Sequence, residues 1–192
     1  MELDFLGNLS YRSILIQDAR KLNFESFDRN IYSDDLRSNT LLAFDHNILI
    51  GFLKINPCFE VPRQMISIIS DIETKCHMLN CIDHNSFAGG TERDLYISRL
   101  AISSKLRNRG YGKSLVEEGL KIFKKELQDF MDKPLGNRVW TIATEIENSF
   151  GFWNNLGYTN LGTYLTPLNE GVHFKGKKEI KQSVFIKDYL RL

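Results

Sequence analysis

The chain has little of what marks membrane, secreted or nucleic-acid-binding proteins. Its 25 Lys and Arg residues nearly balance its 24 Asp and Glu residues, and the net charge of +1 indicates no basic surface for nucleic acid or membranes. No run approaches the roughly 20 apolar residues of a membrane-spanning helix. The first residues, Met1 to Phe5, lack the basic and apolar regions of a secretory leader. We therefore expect a cytoplasmic or nuclear protein.

Cysteine is also scarce, and an odd number of cysteines argues against a disulfide framework. Cys58, Cys76 and Cys81, with the nearby His77 and His84, invite a zinc interpretation. Structural zinc sites usually begin with a tight pair of cysteines, and this spacing matches no standard finger. We expect unpaired thiols and no metal.

The composition is that of an ordinary globular protein. With 42% hydrophobic and 26% charged residues, the 192 residues suit one domain with a sizeable core. Apolar runs and turn signals predict, in order, a strand and helices, a hairpin about Asp45-His46-Asn47, a strand, a long helix, a strand, a short helix and two last strands. The predicted ranges are 11–17, 18–38, 40–55, 95–102, 111–131, 139–146, 150–157, 164–165 and 183–186. Residues 57–93 are expected to form an insertion, with a possible strand at 65–72. This order predicts an α/β fold with a mixed sheet.

The most informative segment runs from Leu95 to Phe123, where a strand leads through a basic, glycine-containing turn into an amphipathic helix. Such a turn presents backbone N–H groups and the positive end of a helix dipole. Arg107, Arg109 and Lys113 add charge of the same sign. The segment therefore predicts a phosphate or diphosphate ligand.

Spacing separates three glycine-rich phosphate loops. A Walker A loop ending at Gly112-Lys113-Ser114 would need glycine at position 107, which is Arg107. The dinucleotide fingerprint would need a small residue at position 115, which is Leu115. What remains is Arg107-x-x-Gly110-x-Gly112, in which the glycines keep side chains away from the ligand.

This pattern resembles the acetyl-coenzyme A loop of the GNAT superfamily of N-acetyltransferases, Gln/Arg-x-x-Gly-x-Gly/Ala. A second segment supports the resemblance: Phe152-Trp153-x-x-Leu156-Gly157-Tyr158 is similar to the family's Phe-Tyr-x-x-x-Gly-Phe. The resemblance implies a single GNAT-like domain over residues 1–192, with a mixed, mostly antiparallel central sheet flanked by helices.

The resemblance also implies how acetyl-coenzyme A, the co-substrate, is held. The last residues of the central strand supply main-chain hydrogen bonds to the pantetheine arm, the loop amides hold the diphosphate, Lys113 or Ser114 adds a side-chain contact, and Asn148 and Ser149 meet the far end of the arm. The residues expected to bind the co-substrate are Leu100, Ala101, Ile102, Arg107, Asn108, Arg109, Gly110, Tyr111, Gly112, Lys113, Ser114 and Asn148.

The catalytic groups depart from the family pattern. Trp153 stands where many members have a tyrosine that protonates the leaving thiolate, and it cannot do so; Ser149, Tyr158, Tyr164 or water are the alternatives. The position that matches the glutamate base of some members is Tyr96, which would bind or deprotonate the amine through a water. Glu145 is the carboxylate alternative, and Asn148 or Ser149 could instead simply cap the short helix.

The implied activity is transfer of an acetyl group from acetyl-coenzyme A to a primary amine. The acceptor, which can be a protein lysine, an N-terminus or a small molecule, is left open by the sequence, as is the oligomeric state. The missing tyrosine and the lack of an obvious carboxylate base motivate a second hypothesis, a non-catalytic acyl-coenzyme A sensor or adaptor; the enzyme is the leading one.

Overall fold

A computed structural model describes residues 1–5, 21, 40–57, 93–130, 135–144, 149–167 and 179–188. The described elements are, in chain order, β1 (Glu2–Phe5), β2 (Thr40–Asp45), β3 (Ile48–Pro57), β4 (Arg93–Ile102), α1 (Tyr111–Phe130), β5 (Leu135–Thr144), α2 (Ser149–Asn155), β6 (Thr159–Pro167) and β7 (Glu179–Asp188).

The strands form one hydrogen-bonded sheet of seven, in the order β1-β2-β3-β4-β5-β7-β6. The β4–β5 pair is parallel, whereas the β1–β2, β2–β3, β5–β7 and β6–β7 pairs are antiparallel. The predicted α/β class with a mixed, mostly antiparallel sheet is therefore confirmed.

Packing divides the chain into two compact units. The first comprises Met1–Ile55 and Ser98–Glu126, and the second comprises Asn56–Ile97 and Leu127–Leu192. Strand β4 contributes its last residues to the first unit and its first residues to the second.

The first unit is built on the hairpin of β2 and β3. His46 and Asn47 have positive φ angles of 47° and 65°, the backbone of a two-residue hairpin turn whose twist matches its strands. Asp45 pairs directly with Ile48 across this turn. The predicted hairpin is thus confirmed, with the turn where the polar residues indicated it.

One side of α1 packs in the core of the first unit. Its buried residues recur at intervals of three and four, as an amphipathic helix requires; they are Leu115, Val116, Gly119, Leu120 and Phe123. At Gly119 the helix lies so close to β3 that an added methyl carbon would stand 2.4 Å from Cδ2 of Leu53.

The second unit contains the first half of β4 with β5, β7, β6 and α2. Aligned residues Ile97, Thr141 and Phe185 share one face of the sheet, and α2 packs there through Phe150, whose ring centroid lies 5.8 Å from that of Phe185. Thr141 is buried, and its hydroxyl donates to the carbonyl of Ile97 at 3.0 Å.

Helix α2 ends in a hydrogen-bonded glycine cap. Gly157 has a φ of 80°, its N–H donates to Asn154 O, and the N–H of Tyr158 donates to Trp153 O. This is the Schellman arrangement, so the predicted cap at Gly157 is confirmed. The ammonium of Lys187 on β7 donates to Leu156 O at 2.7 Å, which places a positive charge at the negative end of the helix.

Some boundaries differ from the prediction. Strand β5 begins at Leu135 rather than Val139, because pairing with β4 at Arg93 extends it into Pro134-Leu135-Gly136, a proline and glycine pattern that predicts the end of the preceding unit. Strand β1 was not predicted; it is short and carries Glu2 and Asp4, and its strand form comes with pairing to β2.

Several predicted features lie outside the described residues: the strand at 11–17, the helices of 18–38 apart from the helical residue 21, the strand at 65–72, and nearly all of the insertion at 57–93. The single domain over 1–192 and its insertion stay predictions.

Replacing Gly51 by alanine is expected to destabilise the protein by about 1–3 kcal/mol, because its Cβ would overpack a dense interior. The added carbon would lie 2.5 Å from Cδ1 of Ile102 and 2.7 Å from the carbonyl oxygen of Ala101. The oxygen belongs to the β4 backbone, which cannot retreat as a side chain can. Urea unfolding of Gly51→Ala and wild type measures the difference.

Gly119→Ala is the matched control for this prediction. Its Cβ meets the methyl end of Leu53, which can rotate, and alanine gains about 0.5–1 kcal/mol over glycine in a helix. Its loss should be the smaller of the two. Equal stability of Gly51→Ala and wild type would contradict the close approach of β3 and β4.

Candidate active site

The passage from β4 to α1 leaves backbone donors without helical partners. After β4 ends at Ile102, a short 3-10 turn covers Ser104–Leu106, and α1 starts at Tyr111. The first hydrogen bond of the helix runs from Ser114 N–H to Gly110 O at 3.1 Å. The N–H groups of residues 111–113 therefore have no carbonyl acceptor inside the helix. The first turn of α1 holds no acidic residue that would neutralise the dipole.

The backbone just before the helix adds to these donors. Asn108 and Gly110 have left-handed backbone, with φ angles of 62° and 86°, while Arg107 is extended, with a φ of −64° and a ψ of 157°. Turns that contain left-handed residues can form the concave nests of N–H groups that bind anions. Residues 107–113 are called the anion loop below.

The anion loop is open beside Gly110. A methyl group built on Gly110 would meet no atom within 4 Å among the described residues. Asn108, Arg109 and Gly110 are themselves exposed. A ligand can therefore approach the main chain here without meeting a side chain of the described residues.

Two side chains of the anion loop point back to the protein. The Nε of Arg107 donates to the carbonyl oxygen of Ile102 at 3.1 Å, which ties the start of the loop to the end of β4. The phenol of Tyr111 donates to Oδ2 of Asp45 at 3.3 Å, which ties its end to the β2–β3 turn. Arg107 N–H is directed at Ser104 O at 3.5 Å, so it is less available to a ligand than the amides that follow.

Two of the three cationic side chains of the loop, those of Arg109 and Lys113, are exposed. Ser114, just after the loop, is exposed as well. The Lys113 ammonium lies 3.9 Å from Oε1 of Glu117, with 63% of the lysine side chain exposed. An exposed pair of this kind holds its lysine weakly, so Lys113 is free to turn toward an anion in the loop.

The end of β4 lies next to this loop in the first unit. Leu100 is half-buried, and Ala101 and Ile102 are buried. Ser103 N–H donates to Ile50 O of β3 at 2.8 Å. In the described residues, the register of β4 with β5 ends at Ile97 and Thr141, and the three predicted arm-binding residues follow that point along β4.

The catalytic candidates Tyr96 and Ser149 both lie in the second unit. Tyr96 is half-buried on β4 and aligned with Trp140, so it occupies the sheet face opposite to the one on which α2 packs. Ser149 is the first residue of α2, and its hydroxyl donates to the carbonyl of Thr144. Its proton is thus already engaged with the end of β5.

Of the alternatives for the leaving thiolate, Tyr164 donates from its phenol to Oε1 of Gln182 at 3.0 Å, and Tyr158 is buried. Glu145 and Asn148 lie outside the described residues. The cysteines and histidines of the zinc interpretation lie there too, and the described part of the chain contains no group of three or more metal-ligating side chains. Among the described helices, none is long and apolar enough to cross a membrane.

One contributor to the site was missed by the sequence analysis. Asp45 was assigned only to a hairpin turn, and its hydrogen bond to Tyr111 joins residues 66 positions apart. The available signal was an aromatic residue between two glycines in an exposed loop, a place where its ring needs a partner.

A protein-family model matches more than half of the chain. The family model described as Acetyltransferase (GNAT) family matches residues 9–133, which include the anion loop. No curated protein sequence is a significant match to the chain.

Solved structures share the fold. Arabidopsis thaliana NAA60 in complex with a bisubstrate analogue has a TM-score of 0.60 at 14% identity, covering 92% of this chain and 94% of that one. Chaetomium thermophilum Naa20 with a bisubstrate analogue has a TM-score of 0.60 at 13% identity, covering 100% of this chain and 88% of that one. An aminoglycoside 6'-N-acetyltransferase complexed with coenzyme A has a TM-score of 0.56 at 13% identity, covering 98% and 97%.

At such low sequence identities the solved structures are evidence for the fold only, and the family assignment rests on the family model. The matched range covers more than half of the chain, from residue 9 to residue 133. It includes strand β4, the anion loop and helix α1. The protein therefore belongs to the GNAT family of acetyltransferases.

Proposed function

We propose that this protein transfers an acetyl group from acetyl-coenzyme A to the nitrogen of a primary amine, which belongs to a protein lysine, a protein N-terminus or a small molecule. The anion loop is the observation that carries the proposal. Its free helix-start amides, its left-handed residues 108 and 110 and the open space beside Gly110 suit a diphosphate. The ligands of the similar structures, coenzyme A and bisubstrate analogues, agree with it.

Residues 100–102 and 107–114 of the first unit, together with Asn148, would hold the co-substrate. Amides of the anion loop donate to the diphosphate, and Lys113 or Ser114 adds a side-chain contact. The main chain of Leu100 to Ile102 bonds the pantetheine arm, and Asn148 meets its far end. Because the bound thioester supplies an already activated acyl group, the protein contributes mainly position and orientation.

Proton transfer is the remaining task, since an amine attacks only when it is neutral. Tyr96, on the sheet face opposite to α2, is proposed to bind or deprotonate the amine through a water, with Glu145 as the alternative base. Ser149 is the proposed contact for the leaving thiolate. As a proton donor it would have to give up its hydrogen bond to Thr144.

A glutamate at Gly112 should abolish tight binding of acetyl-coenzyme A, with an affinity loss above about tenfold from charge repulsion at the diphosphate. The same glutamate lies in the first turn of α1, where the helix dipole favours it. The melting temperature should therefore hold or rise while binding falls. Isothermal titration and thermal unfolding of Gly112→Glu measure both.

Asn154→Glu is the matched control, because it adds one carboxylate to an exposed helical position on α2. Its affinity should equal that of wild type. Wild-type protein that does not bind acetyl-coenzyme A, or Gly112→Glu that binds it unchanged, would refute the proposal.

Turnover on amines tests the acetyl transfer itself. Thiol release from acetyl-coenzyme A should exceed the hydrolysis background for at least one member of a panel of peptides with free N-termini, lysine peptides and small-molecule amines. Mass spectrometry of the products identifies the acetylated nitrogen. Binding without turnover on any amine would instead favour a non-catalytic acyl-coenzyme A sensor.

Tyr96→Phe should lower kcat on the best amine about ten- to a hundredfold, because general-base catalysis ordinarily contributes at least this much. The affinity for acetyl-coenzyme A should not change, since the phenol does not belong to the anion loop. Glu145→Gln is measured beside it. A large loss of kcat in Glu145→Gln, with no loss in Tyr96→Phe, would identify Glu145 rather than Tyr96 as the general base.

A further inference from the structure

A hydrogen bond joins Tyr111 of the anion loop to Asp45 at the end of β2. Tyr111 lies between the two glycines of the anion loop, and its phenol oxygen is 3.3 Å from Oδ2 of Asp45. The contact is partly buried, and 39% of the Asp45 side chain is exposed. A carboxylate beside an anion-binding loop is electrostatically unfavourable for the ligand. We therefore expect Asp45 to have a structural role that offsets this repulsion.

Asp45 is a fixed point in the first unit. It closes strand β2, whose residues Leu41, Leu42 and Ala43 are almost fully buried. On its other side lies the two-residue turn with its left-handed backbone, after which Ile48 pairs back with Asp45. The main chain that carries the Asp45 carboxylate is thus held between a buried strand and a tight turn.

The anion loop, by contrast, is conformationally costly to order. Glycine loses more backbone freedom on becoming fixed than any other residue, and Gly110 and Gly112 flank Tyr111 on both sides. Arg107 anchors the start of the loop at Ile102 O. Tyr111 is the second anchor, and it lies among the residues whose amides start the helix.

We propose that Asp45 is a positioning residue for co-substrate binding, acting through Tyr111. It holds the amides of residues 110–113 in the orientation that receives a diphosphate, so that less freedom is lost when the ligand binds. This inference rests on the proposed function.

A double-mutant cycle tests the coupling of the two residues. Asp45→Ala and Tyr111→Phe should each weaken acetyl-coenzyme A binding about three- to tenfold, the size expected for one hydrogen bond. The double variant should be no weaker than either single variant, because both changes remove the same bond. Asp45→Asn keeps an oxygen acceptor and should bind like wild type.

Asp188→Ala is the matched control. Asp188 is an exposed aspartate at the end of β7 that pairs with Arg138 at 3.7 Å, and its removal should leave the affinity unchanged. Hydrogen exchange of the unliganded protein gives a second readout. Amides of residues 108–113 should exchange faster in Asp45→Ala than in wild type, at an unchanged melting temperature.

The outcomes separate this inference from the function on which it rests. Wild-type protein that fails to bind acetyl-coenzyme A overturns both. Wild-type binding with unaltered affinity in Asp45→Ala and Tyr111→Phe overturns only the positioning role. So does a double variant whose loss equals the product of the single losses. Tighter binding by Asp45→Ala would mean that charge repulsion outweighs positioning, and it overturns the inference as well.

Discussion

The amides at the start of α1, which have no acceptor within the helix, are the constraint on which the rest of the site depends. An α-helix leaves its first N–H groups without internal acceptors, and the first turn of α1 holds no acidic residue to cap them. Left-handed backbone at Asn108 and Gly110 precedes them. In the proposed complex, a single anion accepts from several of these groups at once. Recognition of this kind uses main-chain groups. It therefore requires only that the residues of the loop can adopt its backbone conformation.

The rigid part of the first unit holds that shape in place. Strand β4 comes so close to β3 at Gly51 that an added carbon would collide with the β4 main chain, and α1 approaches β3 at Gly119, where an added carbon would meet the end of the Leu53 side chain. Interiors packed to this density do not yield easily. The start of α1 therefore has a defined position, and side chains at the two ends of the loop, Arg107 and Tyr111, connect it to this framework. Close packing in the core thus determines the orientation of the anion loop at the surface.

Local signals explain what the sequence could predict. The hairpin, α1 and the glycine cap of α2 depend on residues near one another in the chain, such as Asp45-His46-Asn47 and Gly157, and all three were confirmed. The anion loop was predicted because its glycine spacing is local too. The start of β5 was not, because pairing with β4 overrode the turn signal at residues 134–136. The hydrogen bond of Asp45 with Tyr111 joins residues 66 positions apart in the sequence. No local sequence pattern predicts a contact between residues so far apart.

In the proposed reaction, a tryptophan at position 153, where the family resemblance implies a tyrosine that protonates the thiolate, has a limited chemical cost. Trp153 is 5% exposed and stacks edge-on with Tyr158 at 5.0 Å, so this position serves packing. A thiol ordinarily has a pKa of about 8.5, close enough to neutral that a thiolate leaves without much help. The amine is the harder problem. A lysine, with a pKa of about 10.4, must give up a proton held more than three units above neutral, whereas an α-amino group at about 7.7–8.0 lies within one unit. A tyrosine acting through water is a weak base, so in the proposed reaction Tyr96 suits an acceptor of the second kind better than the first.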